Sequence, residues 1–141
     1  MTVVAGIDDS PVSELVVKRG IEQARWMGTD LRVVFVSYLP MVYTEAAVNW
    51  DEVLRIQRES VWSGVNEAID GADVEVERVD LEGYPPDTLV GYANDVDASL
   101  LVMGTRGRGD LASLILGSTS HRGIHLSECD VLIVKSPKTE G

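Results

Sequence analysis

The feature that most constrains the fold is a regular alternation of short apolar runs with longer segments of helical periodicity. Thr2 to Ile7 is an apolar run that stops at Asp8-Asp9, which is typical of a buried strand leading into a helix. Ser10 is expected to cap that helix and Pro11 to occupy its first turn. A segment with apolar residues at helical spacing follows, and Leu31 to Val36 is a second apolar run. The sequence therefore predicts a β-α-β unit.

The rest of the chain continues the same alternation. A more polar connection leads to one long amphipathic helix that ends at Gly71. Val74 to Glu77 then alternates apolar and acidic residues, which indicates a half-exposed strand at a sheet edge. The remaining expected elements are a helix from Pro85 to about Val96, a strand from Ser99 to Met103, a helix from Ser118 to about Glu128 and a strand from Val131 to Val134.

Strands separated by helices of this length require parallel crossover connections, which are almost always right-handed. The expected fold class is therefore α/β, a three-layer doubly wound, Rossmann-like, five-stranded parallel sheet with strand order 3-2-1-4-5. Ligands bind such sheets beyond the carboxyl ends of the strands, where the strand order reverses. That point is expected between the first and fourth strands, where Asp8 and Gly104 lie.

Composition narrows the possible functions. The 141 residues suit one domain, and the net charge of −11 opposes binding to the phosphate backbone of nucleic acid. Cys129 is the only cysteine, which excludes an intrachain disulfide and a cysteine cluster for metal. No apolar run approaches the roughly 20 residues needed to cross a bilayer, and the N-terminus lacks the pattern of a secretory signal. We therefore expect a cytoplasmic protein.

The segment with the clearest chemistry is rich in glycine. Gly104-Thr105-Arg106-Gly107-Arg108-Gly109-Asp110 follows the expected fourth strand, and Gly117-Ser118-Thr119-Ser120 begins a helix. Glycine allows backbone amides to approach an anion, and a helix N-terminus offers unpaired N–H groups, so this arrangement favours phosphate binding. The alternative is that the glycines only form turns and the arginines pair with carboxylates. The spacing does not match the usual nucleotide-hydrolase motif, so efficient hydrolysis is not expected.

The pattern Gly104-x2-Gly107-x9-Gly117-Ser118 resembles the ATP-binding signature of the universal stress protein family. The resemblance extends over essentially the whole chain, since Val4 to Ser10 is similar to the family's first strand and turn, and Cys129 to Val134 to its last strand. It implies one universal stress protein domain over residues 1–141, with an adenine nucleotide alpha hydrolase-like fold.

The resemblance also implies a role for individual residues. Asp8, with the backbone of Gly6 and Ile7, would contact the adenine and ribose, and Val36 would face the adenine edge. ATP is the expected cofactor, with Mg²⁺ or Mn²⁺ between its phosphate oxygens. The complete implied nucleotide-binding set is Gly6, Ile7, Asp8, Ser10, Val36, Met103, Gly104, Thr105, Gly107, Arg108, Gly109, Gly117, Ser118 and Thr119.

One residue departs from the family pattern. Asp9 stands where glycine is common in the family, and a second carboxylate beside Asp8 would disfavour a triphosphate unless it is screened. We favour a simpler interpretation, in which Asp9 is a negative charge near a helix N-terminus.

These observations predict a nucleotide-responsive stress or regulatory module that is not a fast enzyme. Two alternatives stay open, a nucleotide-free dimeric interaction scaffold and a slow ATP hydrolase. The resemblance suggests a homodimer that pairs through Val131 to Val134, because an apolar edge strand needs a cover.

Two further patterns are given less weight. Asp8-Asp9, Asp80 and Lys135 are also compatible with a response-regulator receiver, but the glycine-rich loop argues against one. His121 and His125 lie four apart on the last helix, a spacing that suits two metal ligands. Because no third ligand is evident, we interpret them as surface or interface residues, and no metal-binding residue is assigned.

Overall fold

The computed structural model describes residues 1–38, 49–105 and 118–136. In chain order the elements are β1 (Thr2–Ile7), α1 (Ser13–Met27), β2 (Asp30–Ser37), α2 (Trp50–Ser63), α3 (Asn66–Asp70), β3 (Val76–Glu82), α4 (Pro85–Asp95), β4 (Leu100–Gly104), α5 (Ser118–Leu126) and β5 (Asp130–Val134). Among the helices of these ranges, none has the length and apolar character that a bilayer-spanning segment needs.

The five strands found in the described residues form one sheet of order β3-β2-β1-β4-β5, and its four neighbouring pairs are parallel. The predicted fold class and strand order are therefore confirmed. The order reverses between β1 and β4, where Val4 pairs with Leu101. The carboxyl ends of these two strands are thus the point at which a doubly wound sheet binds its ligands.

The sheet separates two hydrophobic cores, because successive side chains of a strand point to opposite faces. One face of the sheet packs against α1, Val61 of α2 and Ile69 of α3. The other face packs against α4, through Leu89, Val90 and Ala93. Alternate residues of β1 and β2 serve the two cores: Val3, Ala5, Ile7, Leu31, Val33 and Phe35 on the first face, and Val4, Val34 and Val36 on the second.

The long helix and the third strand differ from the sequence prediction. The single long helix is interrupted at Gly64 and Val65, which form a turn between α2 and α3. Val65 is nevertheless only 1% exposed, so the apolar spacing continues through the break. The third strand runs from Val76 to Glu82 rather than from Val74 to Glu77. It is an edge strand, as expected, and its charged side chains are exposed.

The start of α1 also differs from the prediction. The helix begins at Ser13, and its N-cap residue Val12 makes no side-chain cap hydrogen bond. The Ser10 side chain therefore does not cap α1, and only the Ser10 carbonyl contributes, by accepting from the Ser13 N–H at 3.2 Å. Pro11 lies in the turn that precedes the helix. At its other end, α1 stops at Gly28, whose left-handed φ of 66° is accessible to glycine without a steric cost.

Candidate functional site

The carboxyl end of β1 carries a fixed carboxylate. The Ser10 N–H donates to Oδ1 of Asp8 at 2.8 Å, which closes a tight turn directly after the strand. The Ser13 hydroxyl lies 3.1 Å from the same Oδ1 and 2.9 Å from the Asp8 carbonyl oxygen. It also accepts from the Asp8 N–H at 2.9 Å. The turn and the first helical residue therefore hold the Asp8 side chain in one orientation at the carboxyl end of β1.

Two buried hydroxyls lie at the carboxyl ends of the neighbouring strands. Ser10, after β1, is 6% exposed, and Ser37, the last residue of β2, is 3% exposed. Neither hydroxyl oxygen has a hydrogen-bond partner within the described residues. Burying a hydroxyl without a partner costs free energy, so these atoms are candidates for contact with a ligand.

Sequence reasoning included Ser10 in the site and missed Ser37. Ser37 continues the alternation of Val33 and Phe35 on the face of β2 that packs against α1 and α2. A polar residue at that position interrupts an otherwise apolar row at the carboxyl end of a central strand. That interruption is the signal from which Ser37 could have been identified.

Two glycines of the predicted site lie within the described residues, Gly6 and Gly104, and both are close to protein side chains. A Cβ atom on Gly6 would lie 2.5 Å from Cδ2 of Leu89 in α4. A Cβ atom on Gly104 would lie 2.5 Å from Cγ1 of Val12, beside the start of α1. Glycine at these positions therefore lets α4 and α1 pack closely on the ends of β1 and β4.

The apolar residues of the predicted site belong to the two cores. Ile7 is 6% exposed and packs on the α1 side, whereas Val36 and Met103 are buried on the α4 side. A ligand at the sheet edge is therefore expected to meet their backbone atoms more than their side chains. Thr105 directly follows β4, is buried, and donates its N–H to the Val134 carbonyl oxygen at 3.0 Å.

The predicted phosphate-binding half of the site stays a prediction. Gly107, Arg108, Gly109 and Gly117 lie outside the described residues. Ser118 and Thr119 are the first two residues of α5, so this part of the chain does begin a helix as expected. The expectation that their hydroxyls contact phosphate stays a prediction as well.

An aromatic pair that the sequence did not predict lies near the carboxyl end of β2. Tyr38 follows β2 and Tyr84 precedes α4, with ring centroids 5.6 Å apart in a T-shaped arrangement. The Gly83 N–H joins the two segments by donating to the Ser37 carbonyl oxygen at 3.0 Å. Each tyrosine is 46% exposed. Their ring faces offer a surface on which a planar group could stack.

The charges near the site are partly paired. Arg122 of α5, one of the basic residues near the glycine-rich loop, contacts Asp87 of α4 with nitrogen–oxygen distances of 2.8 and 2.9 Å. For Arg122, pairing with a carboxylate is therefore the correct interpretation. No cluster of three or more His, Cys, Asp or Glu side chains suited to a metal ion occurs in the described part of the chain.

The receiver interpretation is wrong. Receivers of the flavodoxin-like type have strand order 2-1-3-4-5, whereas this sheet has the order β3-β2-β1-β4-β5. Asp80 lies within the edge strand β3 and accepts a hydrogen bond from the Trp62 indole N–H at 2.8 Å. It is therefore not at the end of a central strand, where a phosphoacceptor would lie.

Comparison with known proteins gives one consistent family. The family model described as Universal stress protein family matches residues 1–135. Universal stress protein MJ0531 of Methanocaldococcus jannaschii is 31% identical over 142 residues, covering 98% of this chain and 84% of that protein. Mycobacterial universal stress proteins are longer, and the chain spans 45% of their length.

Two similar solved structures contain adenine nucleotides. A universal stress protein in complex with cAMP is 30% identical, with a TM-score of 0.71, and the match covers 95% of this chain and 96% of that one. The universal stress protein from Archaeoglobus fulgidus in complex with dAMP is 26% identical, with a TM-score of 0.69 and coverage of 94% and 96%.

Proposed function

This chain belongs to the universal stress protein family, and we propose that it binds an adenine nucleotide at the carboxyl ends of β1, β2 and β4. The nucleotide we propose is ATP. We also propose that the protein is cytoplasmic and that ATP binding makes it a nucleotide-responsive regulatory module. Binding rather than fast hydrolysis is proposed because the glycine-rich segment lacks the lysine of nucleotide-hydrolase loops.

The observation that carries this proposal is that two buried hydroxyls and a fixed carboxylate lie at the carboxyl ends of the neighbouring strands β1 and β2. Ser10 and Ser37 each bury an oxygen that has no partner within the described residues, and Asp8 presents a carboxylate held by the surrounding turn. An adenine nucleotide carries amino, ring-nitrogen and ribose hydroxyl groups that would satisfy such atoms. The hydrogen bonds would then offset the cost of burying them.

The relatives support the adenine part of this proposal. Two universal stress proteins of more than 25% identity have structures with cAMP or dAMP. The proposal that the nucleotide is ATP, bound with a divalent cation, rests instead on the sequence pattern Gly104-x2-Gly107-x9-Gly117-Ser118. In the described residues no protein cluster is suited to a metal ion, so Mg²⁺ or Mn²⁺ would be held mainly by phosphate oxygens.

The first experiment is to denature the purified protein and identify any released nucleotide by chromatography and mass spectrometry. Nucleotide-free protein is then titrated with ATP and magnesium by calorimetry. We expect Asp8→Asn to weaken binding at least tenfold, because the amide keeps the turn but removes the charge. Asp51→Asn, at an exposed position in the first turn of α2, is the matched control. If the protein releases no nucleotide and none can be titrated into it, the proposal is contradicted and the nucleotide-free scaffold is favoured.

A slow hydrolase is distinguished by a separate measurement. Phosphate release that persists through extensive purification and is lost in Gly117→Ala would favour hydrolysis. Phosphate release that falls with purification would assign the activity to a contaminant.

We also propose that two copies pair through β5. This strand is at one edge of the sheet, and Val131, Leu132 and Ile133 are half-buried apolar residues on it. Light scattering should then give twice the 15.3 kDa mass of the chain at micromolar concentration. Val131→Lys should shift this mass toward the monomer, whereas Ile124→Lys on α5 should not. A monomer mass for the unaltered protein would contradict the pairing.

A further inference from the structure

The outer surface of α5 carries two histidine rings in direct contact. His121 and His125 are one helical turn apart, and their ring centroids are separated by 4.8 Å with an angle of 66° between the planes. Both residues are exposed. Gly123, between them in sequence, is buried and faces the core, since a Cβ atom there would lie 2.7 Å from the Met103 sulfur. The histidine pair therefore lies away from the core contact of the helix.

The separation of the rings matches that of two imidazoles bound to one metal ion. Metal–nitrogen bonds are about 2.0–2.1 Å long, and each nitrogen lies about 1.1 Å from its ring centre. Two imidazoles that meet at about 90–109° at the metal would therefore have ring centres about 4.5–5.2 Å apart. The observed 4.8 Å falls within this range. Binding of one ion would require the two exposed side chains to rotate so that one nitrogen of each ring faces a common point.

The electrostatic surroundings also suit a cation. His125 lies in the last turn of α5, where the helix dipole places partial negative charge. The nearest positive side chain in sequence is Arg122, which is paired with Asp87 at 2.8 Å, so its repulsion of a cation is reduced. The chain as a whole has a net charge of −11, which favours the approach of a divalent cation.

We propose that His121 and His125 form a two-imidazole chelating site for a borderline divalent transition ion, the class that includes Zn²⁺, Ni²⁺ and Cu²⁺. Imidazole favours these ions, whereas Mg²⁺ and Ca²⁺ favour oxygen ligands. No third protein ligand completes the site within the described residues, so the remaining coordination positions are open to water or to an added ligand. Neither histidine belongs to the predicted nucleotide-binding set, although that set includes Ser118 and Thr119 at the start of the same helix.

The test is a calorimetric titration of untagged, nucleotide-free protein with Ni²⁺ and with Zn²⁺, with Mg²⁺ as the comparison ion. We expect one ion per chain for nickel and zinc, no binding of magnesium at the same concentrations, and weaker binding on acidification because protons compete for the imidazoles. His121→Gln and His125→Gln should each weaken binding at least tenfold. Circular dichroism and thermal denaturation check that each variant is folded.

A matched control keeps two histidines but changes their spacing. The double variant His125→Gln/Leu126→His places the rings five residues apart, about 140° around the helix, where one ion cannot join them. Leu126 is 45% exposed, so we expect the fold to tolerate the change. Unchanged affinity in this variant or in both single variants would overturn the proposal. Loss of binding in Cys129→Ser with retention in the histidine variants would also overturn it, because the thiol would then be the ligand.

Discussion

The hydroxyl of Ser13 makes three contacts with Asp8, at 2.9 Å to its N–H, 2.9 Å to its carbonyl oxygen and 3.1 Å to its carboxylate. One side chain at the start of α1 therefore sets both the backbone and the side chain of the residue that ends β1. The orientation of the Asp8 carboxylate depends on the helix as much as on the strand.

Replacing Ser13 with alanine should weaken both the fold and the proposed site. The change leaves the Asp8 N–H without its partner, which we expect to cost about 1–2 kcal/mol of unfolding free energy. It also frees the Asp8 carboxylate, so ATP affinity should fall several-fold. Denaturant unfolding and ATP titration measure the two effects. Ser63→Ala, at an exposed serine that bonds to the Ser60 carbonyl oxygen, is the control for loss of a hydroxyl. Unchanged ATP affinity in Ser13→Ala would show that Asp8 needs no such support.

Ser37→Ala should change stability and binding in opposite directions. The substitution removes a buried oxygen without a partner in the described residues, so the nucleotide-free protein should be as stable as before or more stable. ATP affinity should fall about five- to tenfold, because the ligand loses a hydrogen-bond partner. Thermal unfolding and calorimetry test both parts. A variant that is less stable and binds ATP normally would contradict the assignment.

Gly117→Val should discriminate between nucleotides with and without the outer phosphates. The family pattern implies that Gly117 approaches the phosphates. The added side chain should then lower the affinity for ATP at least tenfold and leave the affinity for AMP within about twofold of its original value. Competition calorimetry with the two nucleotides measures the difference. Gly91→Val is a steric control, since a Cβ atom at Gly91 would have no heavy-atom neighbour within 4 Å. An equal loss for ATP and AMP would argue against a phosphate contact.

The ion pair between Arg25 and Asp73 should make a pH-dependent contribution to stability. Two guanidinium nitrogens contact the carboxylate at 2.8–3.0 Å, and the hydrogen bond to Arg25 lowers the pKa of Asp73. A lowered carboxyl pKa adds stability that is fully present above the ordinary aspartate value of about 3.9 and is lost as the pH falls through the lowered pKa of Asp73. The coupling in a double-mutant cycle of Arg25→Gln and Asp73→Asn should therefore be present at pH 7.

Because both groups are exposed, that coupling should also decrease in about 1 M salt. Denaturant unfolding of the four proteins at pH 7 and at about pH 3 provides the measurement. A coupling of the same size at both pH values would contradict the assigned charge pairing.

The order of the strands could be predicted because it depends on long features of the sequence. Apolar runs such as Val131 to Val134 are distinct from the helical segments, and parallel crossovers leave few possible topologies. Boundaries were less predictable. Arg78 and Asp80 interrupt the apolar signal of β3, and an edge strand tolerates such charges on its exposed face. Val65 continues the apolar spacing across the turn after α2, so periodicity alone conceals the break.

The positions of the candidate site residues could be predicted where a motif is contiguous and less well where they depend on packing. Asp8 follows directly from the end of an apolar run, and its position at the sheet edge agrees with the topology. The Tyr38–Tyr84 contact joins residues 46 positions apart (84 − 38), which no local pattern links. The close approach of Leu89 to Gly6 likewise depends on how α4 is placed on the sheet.

The two edges of the sheet differ in a way that limits assembly. Along β3 the outward residues Glu77, Arg78, Asp80 and Glu82 are charged and exposed, whereas β5 presents half-buried apolar residues. A charged edge discourages the addition of a further strand, and an apolar edge accepts one. Pairing of two β5 strands would cover the apolar edge of both copies. The charged β3 strands would then form the two outer edges of the combined sheet. Under the proposed pairing, growth would stop at a closed pair, so the difference between the two edges would limit open-ended polymerisation.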